Sequence, residues 1–143
     1  LSRSSAASDV YKRQANSIQG DKRPLSSMTP TIIFKDKKPY FVLGSPGGSR
    51  IITTVLQVAL NVMEHDMNIA QAVNSPRMHH QWLPEVLMLE DGFSPDTIEI
   101  LEDKGYQIYP SRTMGSVQAI VKEGDYFYGA ADPRRPDSGA VAP

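Results

Sequence analysis

The sequence predicts an α+β fold, and three observations carry that reading. One hairpin signal lies near residue 31, and another lies near residue 116. Between them runs a long stretch whose apolar residues recur at helical spacing. Hairpins at both ends imply a mainly antiparallel sheet, with the long helix buried against it. The expected order is β-β-α-α-β-α-β-β-β.

Thr31 to Lys35 and Tyr40 to Gly44 are β-rich runs around a polar turn, Asp36-Lys37-Lys38-Pro39. From Ser49 to about His65, Ile52, Val55, Leu56, Ala59, Val62 and Met63 fall at helical positions. Ile51 and Val58 widen that face, so the helix is expected to be well buried. The β-branched run Ile51 to Val55 leaves a strand open there. A short helix at about Asn68 to Asn74 is stopped by Ser75-Pro76.

Glu85 to Glu90 reads as a strand. Ser94 caps the next helix with Pro95 at its first position, and Lys104-Gly105 ends it. Tyr106 to Tyr109, Ser116 to Lys122 and Tyr126 to Ala130 are further strands, the last two a hairpin around Glu123-Gly124-Asp125. From Asp132 the proline-bearing tail is expected to be irregular, with an ion pair from Asp132-Pro133-Arg134-Arg135 pinning it. Residues 1–20 are polar and aperiodic. They are set aside as a leader foreign to the organised region, with 1–14 resembling translated adapter sequence.

Composition excludes several function classes. A formal net charge of -1 gives no electrostatic reason to expect nucleic acid. No run approaches the roughly 20 apolar residues of a spanning helix. Zero cysteines exclude disulfides and thiolate catalysis. His79-His80 cannot both face one metal from a helix, so hydrogen bonding within Met78-His-His-Gln-Trp82, beside a partly buried Trp, is expected instead. No metal or organic cofactor is expected.

Two segments are suited to chemistry. Gly44-Ser45-Pro46-Gly47-Gly48-Ser49-Arg50 joins a strand to a helix N-terminus, where amides and the helix dipole favour negative charge. It lacks the Lys-Ser/Thr of a phosphate loop, and Pro46 breaks the dinucleotide pattern. Amide donors from Gly47 and Gly48 toward an oxyanion fit better, beside the plainer reading of a tight positive-φ turn. Ser26 and Ser27 follow the rigid Pro24, and their hydroxyls can both donate to one carboxylate, beside the plainer reading of a Ser-rich turn. The two segments flank the first hairpin and can face one site.

Lys22-Arg23-Pro24-Leu25-Ser26-Ser27-Met28-Thr29-Pro30-Thr31 and Gly44 to Ile52 closely resemble γ-glutamyltranspeptidase, also called glutathione hydrolase, of bacterial type. Asn74 to Pro84, Gly92 to Asp96, Met114-Gly115-Ser116 and Asp132-Pro133-Arg134 extend the resemblance over about Asp21 to Arg134. The resemblance implies an N-terminal-nucleophile hydrolase, an αββα sandwich made by a precursor that cuts itself into large and small subunits. It implies Ser26 and Ser27 as holders of the glutamyl α-carboxylate, and Gly47 and Gly48 as the oxyanion hole. It also implies a γ-glutamyl substrate such as glutathione, the large subunit as partner, and a periplasmic or secreted location. The family's nucleophilic Thr precedes the matched part, so residues 21–143 read as the C-terminal part of a small subunit, inactive alone. An anion-binding module and a non-catalytic remnant are the competing readings.

Overall fold

The computed structural model describes residues 20–22 and 29–141. Strands β1 (Thr31–Lys35) and β2 (Lys38–Gly44) form the first hairpin. Its turn is shorter than the sequence suggests. Asp36 and Lys37 take φ of 51° and 63°, the two left-handed positions of a tight hairpin turn, so β2 starts at Lys38. Pro39 therefore lies inside a strand, opposite Phe34 at a register shift. Its missing N–H costs no ladder bond to β6, because that pairing begins only at Phe41.

A 3-10 turn, Gly48–Arg50, leads into helix α1 (Ile51–Met63). Helix α2 (Ile69–Asn74) opens with a reciprocal capping box, Asn68 with Gln71. Strands β3 (Met78–His79) and β4 (Leu87–Leu89) follow, then helix α3 (Pro95–Asp103) and β5 (Ile108–Pro110). Ser94 caps α3 through the Thr97 N–H, and Gly105, at φ 89°, closes its far end. Strands β6 (Gln118–Glu123) and β7 (Tyr126–Ala131) complete the order.

There are two sheets among the described residues. One is antiparallel, in the order β1-β2-β6-β7, and the other is β3-β4-β5. The expected α+β class and mainly antiparallel pairing hold. The exception is β4 with β5, which are parallel because α3 returns the chain between them. Strand β3 was not expected at all. Two residues carry no period, and only pairing to β4 makes them a strand.

Phe41, Leu43, Val117, Ala119 and Val121 pack one face of the larger sheet against Ile51, Val55, Val58 and Val62 of α1 and Ala72 and Val73 of α2. The opposite face is bare among the described residues. There Ile32 pairs with Val42 and Val42 with Ile120, an exposed apolar row across three strands. Helix α1 is likewise buried on one side only. Ile52 is 67% exposed, and Leu56, Leu60 and Met63 continue its open stripe. The expectation of a well-buried α1 is thus corrected: its apolar positions span two faces, and this chain covers one.

Candidate functional site

The loop from β2 to α1 is built on backbone geometry that glycine alone adopts comfortably. Gly47 has φ 149° and Gly48 has φ 58°. The Arg50 N–H closes the turn onto the Gly47 carbonyl at 3.2 Å. The first amides of a helix lack intrahelical partners, and this turn begins at Gly48. Among the described residues, nothing lies within 4 Å of where a Gly48 Cβ would stand. A Gly47 Cβ would touch Gly115 Cα at 3.5 Å and Ile51 Cγ1 at 3.7 Å. One glycine therefore faces the protein, and the other faces open space.

Antiparallel pairing sets Thr31 opposite Leu43, so the chain before β1 runs beside the chain after β2. Pro30 Cα stands 4.0 Å from the position of a Gly44 Cβ. That brings the residues just after the serine pair to the base of the glycine loop. Ser26 and Ser27 themselves lie outside the described residues.

A second loop clamps the first. The Ser45 hydroxyl accepts from the Ser116 N–H at 2.9 Å and donates to the Pro46 carbonyl at 2.8 Å. Gly115, at φ 69°, allows this approach, since a Cβ there would stand 2.6 Å from Ser45 Oγ and 2.9 Å from Thr54 Cγ2. Thr54 is buried on a helix and cannot withdraw. Gly115→Ala is expected to cost about 1–3 kcal/mol through overpacking, with backbone strain added. A thermal midpoint equal to that of the parent would refute the close approach.

Behind this clamp lies a buried charge cluster that the sequence reading underestimated. A simple ion pair pinning the tail was expected. Instead Asp132 is fully buried and pairs with Arg77 at 2.7 Å and Arg134 at 3.1 Å, while Arg134 also pairs with Glu90. Asp132 accepts the Val117 N–H at 2.8 Å, and Glu90 accepts the amides of Arg77 and Met114. Arg77 donates to the carbonyls of Met114 and Val73, and Arg134 to those of Val73 and Ser75. The cluster thereby fixes Met114 to Val117, the loop that meets Ser45 and Gly47.

Burial draws the Arg77 guanidinium below its ordinary value, against the pull of Asp132. Burial pushes the Asp132 carboxyl up, but the Val117 and Arg134 amides and Arg77 outweigh it and hold the group below its usual range. For Arg134, burial is outweighed by Glu90 and Asp132, which raise its value. The sign for Asp132 follows from linkage. Its folded value is depressed, so its contribution is whole above the unfolded carboxyl value of about 3.9 and is lost as pH falls through the folded one. Acid titration should therefore show Asp132→Asn losing less stability than the parent below about pH 4. Parallel curves would rule this out.

Strand β3 supplies a third support. Gln57 of α1 pairs with both backbone groups of Met78, at 2.8 and 2.9 Å. His79 is buried, with Nδ1 2.7 Å from Thr53 Oγ1 and Nε2 3.0 Å from Gln81 Oε1. Ser49 donates to the same Gln81 oxygen at 2.8 Å. The expected hydrogen bonding within Met78 to Trp82 is present. Trp82 itself is not partly buried: it is 75% exposed, at φ 72°. The left-handed backbone that follows Gln81 turns the ring outward.

Sequence reasoning missed Glu90, Arg77, Thr53 and Gln81 as supports of the loop. The dense motifs around Asn74 to Pro84 and Met114 to Ser116 were the available signal. Among the described residues no group of three or more His, Asp or Glu side chains is placed to hold a metal, and no helix is long and apolar enough to cross a membrane.

A sequence profile described as Gamma-glutamyltranspeptidase matches residues 2–142. The glutathione hydrolase proenzyme of Escherichia coli (strain K12) is 55% identical over 124 residues, covering 86% of this chain and 21% of that relative. Among solved structures, the T380A mutant of the Helicobacter pylori γ-glutamyltranspeptidase superposes with a TM-score of 0.79 at 52% identity, covering 85% of this chain and 68% of that one. The Pseudomonas nitroreducens γ-glutamyltranspeptidase complexed with L-DON gives 0.81 at 36% identity, covering 92% and 70%. The chain spans about a fifth of the length of the curated relatives it matches.

Proposed function

We propose, on the premise that this chain belongs to the γ-glutamyltranspeptidase family, that it is the C-terminal part of the small subunit of a γ-glutamyl hydrolase and acyltransferase. In this reading the chain belongs to a longer precursor whose large subunit completes the protein. An N-terminal Thr earlier in the small subunit attacks the γ-glutamyl carbonyl. The carbonyl oxygen becomes an oxyanion, the amine leaves with a proton, and water or an amino acid takes the acyl group from the ester. Gly47 and Gly48 donate their amides to that oxyanion, and Ser26 and Ser27 hold the substrate α-carboxylate.

The observation that carries this reading is the Gly47-Gly48 turn, open on its outer side at a helix start. Donors set in advance at such a point stabilise charge that appears only in the transition state. The parent is taken to act in the periplasm or outside the cell, which cell fractionation would check.

The test is glutamate release from glutathione by the full-length precursor after self-cleavage. Release is expected in the parent, and its absence would overturn the reading. Replacing Ser26 and Ser27 together with Ala should raise KM by about tenfold or more, since each lost charge-assisted hydrogen bond is worth roughly 1.5–3 kcal/mol. An unchanged KM would remove the carboxylate role.

A further inference from the structure

We infer that His79 and Gln81 are positioning residues, which hold the Gly47-Gly48 donors at their working angle through a strap from strand β3 to Ser49. The inference rests on the oxyanion reading of that loop and adds residues to it.

The strap is continuous. Its root is the two-point pairing of Gln57 with Met78, which ties β3 to the second turn of α1. From that root His79 reaches Thr53 on the first turn, and Gln81 reaches Ser49, the residue after Gly48. Atom roles are fixed along the way. Gln81 Nε2 donates to the Leu83 carbonyl at 2.9 Å, so Oε1 is the end that faces both Ser49 and His79. A carbonyl oxygen only accepts, so His79 Nε2 carries a proton, and Nδ1 lies 2.7 Å from the Thr53 hydroxyl. Thr53 Oγ1 also lies 3.1 Å from the Arg50 carbonyl, at the end of the turn that starts with Gly48.

This arrangement answers a mechanical need. Gly48 has no side chain with which to lock its own orientation, and no described atom lies within 4 Å on its Cβ side. The loop is already tied at Ser45 by the Ser116 N–H, with the Gly115 backbone close beside Gly47. Ser49 is the handle on the other side of the glycine pair, and Gln81 grips it. His79 in turn limits where Gln81 can point, because the imidazole is buried and bonded at both nitrogens. Small displacements matter, since misplacing a catalytic donor by about 1 Å can cost around a hundredfold in rate.

The experiment uses the full-length, self-cleaved enzyme with a γ-glutamyl anilide. Gln81→Leu is expected to lower kcat by about tenfold while KM stays within about twofold, because the donors matter only in the transition state. Ser49→Ala should lower kcat by a smaller factor, and Ser49→Thr, which keeps the hydroxyl, should restore it. In the double variant, Gln81→Leu with Ser49→Ala should lose no more than Gln81→Leu alone, because both cut one strap. A general packing role would instead lower the thermal midpoint and give additive losses.

Gly48→Val is the control. If it abolishes turnover while Gln81→Leu leaves kcat intact, the strap is wrong and the oxyanion reading stands. If Gly48→Val itself leaves kcat intact, the oxyanion reading fails and the strap fails with it. Should Gln81→Leu not fold, the Ser49→Ala and Ser49→Thr pair decides: equal kcat in both overturns the proposal.

Discussion

Asp132→Ala is expected to destabilise the full-length protein by about 3–5 kcal/mol, the range for removing one partner of a buried ion pair. The reason is what the substitution leaves behind. Arg77 is 1% exposed, and its Nε has no partner among the described residues. Without Asp132 its positive charge would face only carbonyls, the more distant Glu90 carboxylate and the like charge of Arg134. The Val117 N–H would lose its acceptor as well. Asp132→Asn, which keeps an acceptor of the same size, should cost less than Ala. Thermal midpoints of the two variants against the parent check the order. A loss below about 1 kcal/mol for Asp132→Ala, the size of a surface pair, would show that the cluster is no buried unit.

Gly48→Val in the same parent should reduce kcat by about a hundred- to a thousandfold, the usual effect of removing one oxyanion donor. Two observations make the effect specific. A φ of 58° is strained for any β-branched residue, so the amide turns away. Nothing among the described residues meets a Cβ there, so the added bulk enters the space assigned to substrate and does not disrupt the core. Stability should fall only by the cost of the strained backbone, roughly 1–3 kcal/mol. Steady-state kinetics would decide the matter. Loss confined to KM, with kcat unchanged, would mean that the loop binds substrate and transition state alike.

Local signals in the sequence were read well where chemistry is local. The cap at Ser94, the hairpins and the glycine turn all rest on neighbours a few residues apart, and each is present. Strand β3 and the buried role of Asp132 depend on partners many residues away, and no period announces them. The exposed stripe of α1 is a related case. Periodicity shows that Ile52 and Leu56 are apolar, but not whether this chain supplies the surface to cover them. The glycine pair was legible as a positive-φ turn at the start of a helix. Its supports were not, because Gln81 and Ser49 stand 32 residues apart.

The cluster around Arg77 has a temporal side too. Glu90 leaves the ribosome 44 residues ahead of Arg134, its charged partner. At about 5–20 residues per second that gap lasts roughly 2–9 s. For that time the nascent chain holds a carboxylate destined for the interior with its cation not yet made. Burying Glu90 before Arg134 is made would leave that carboxylate in the interior without its cation, a cost of several kcal/mol that the finished chain avoids.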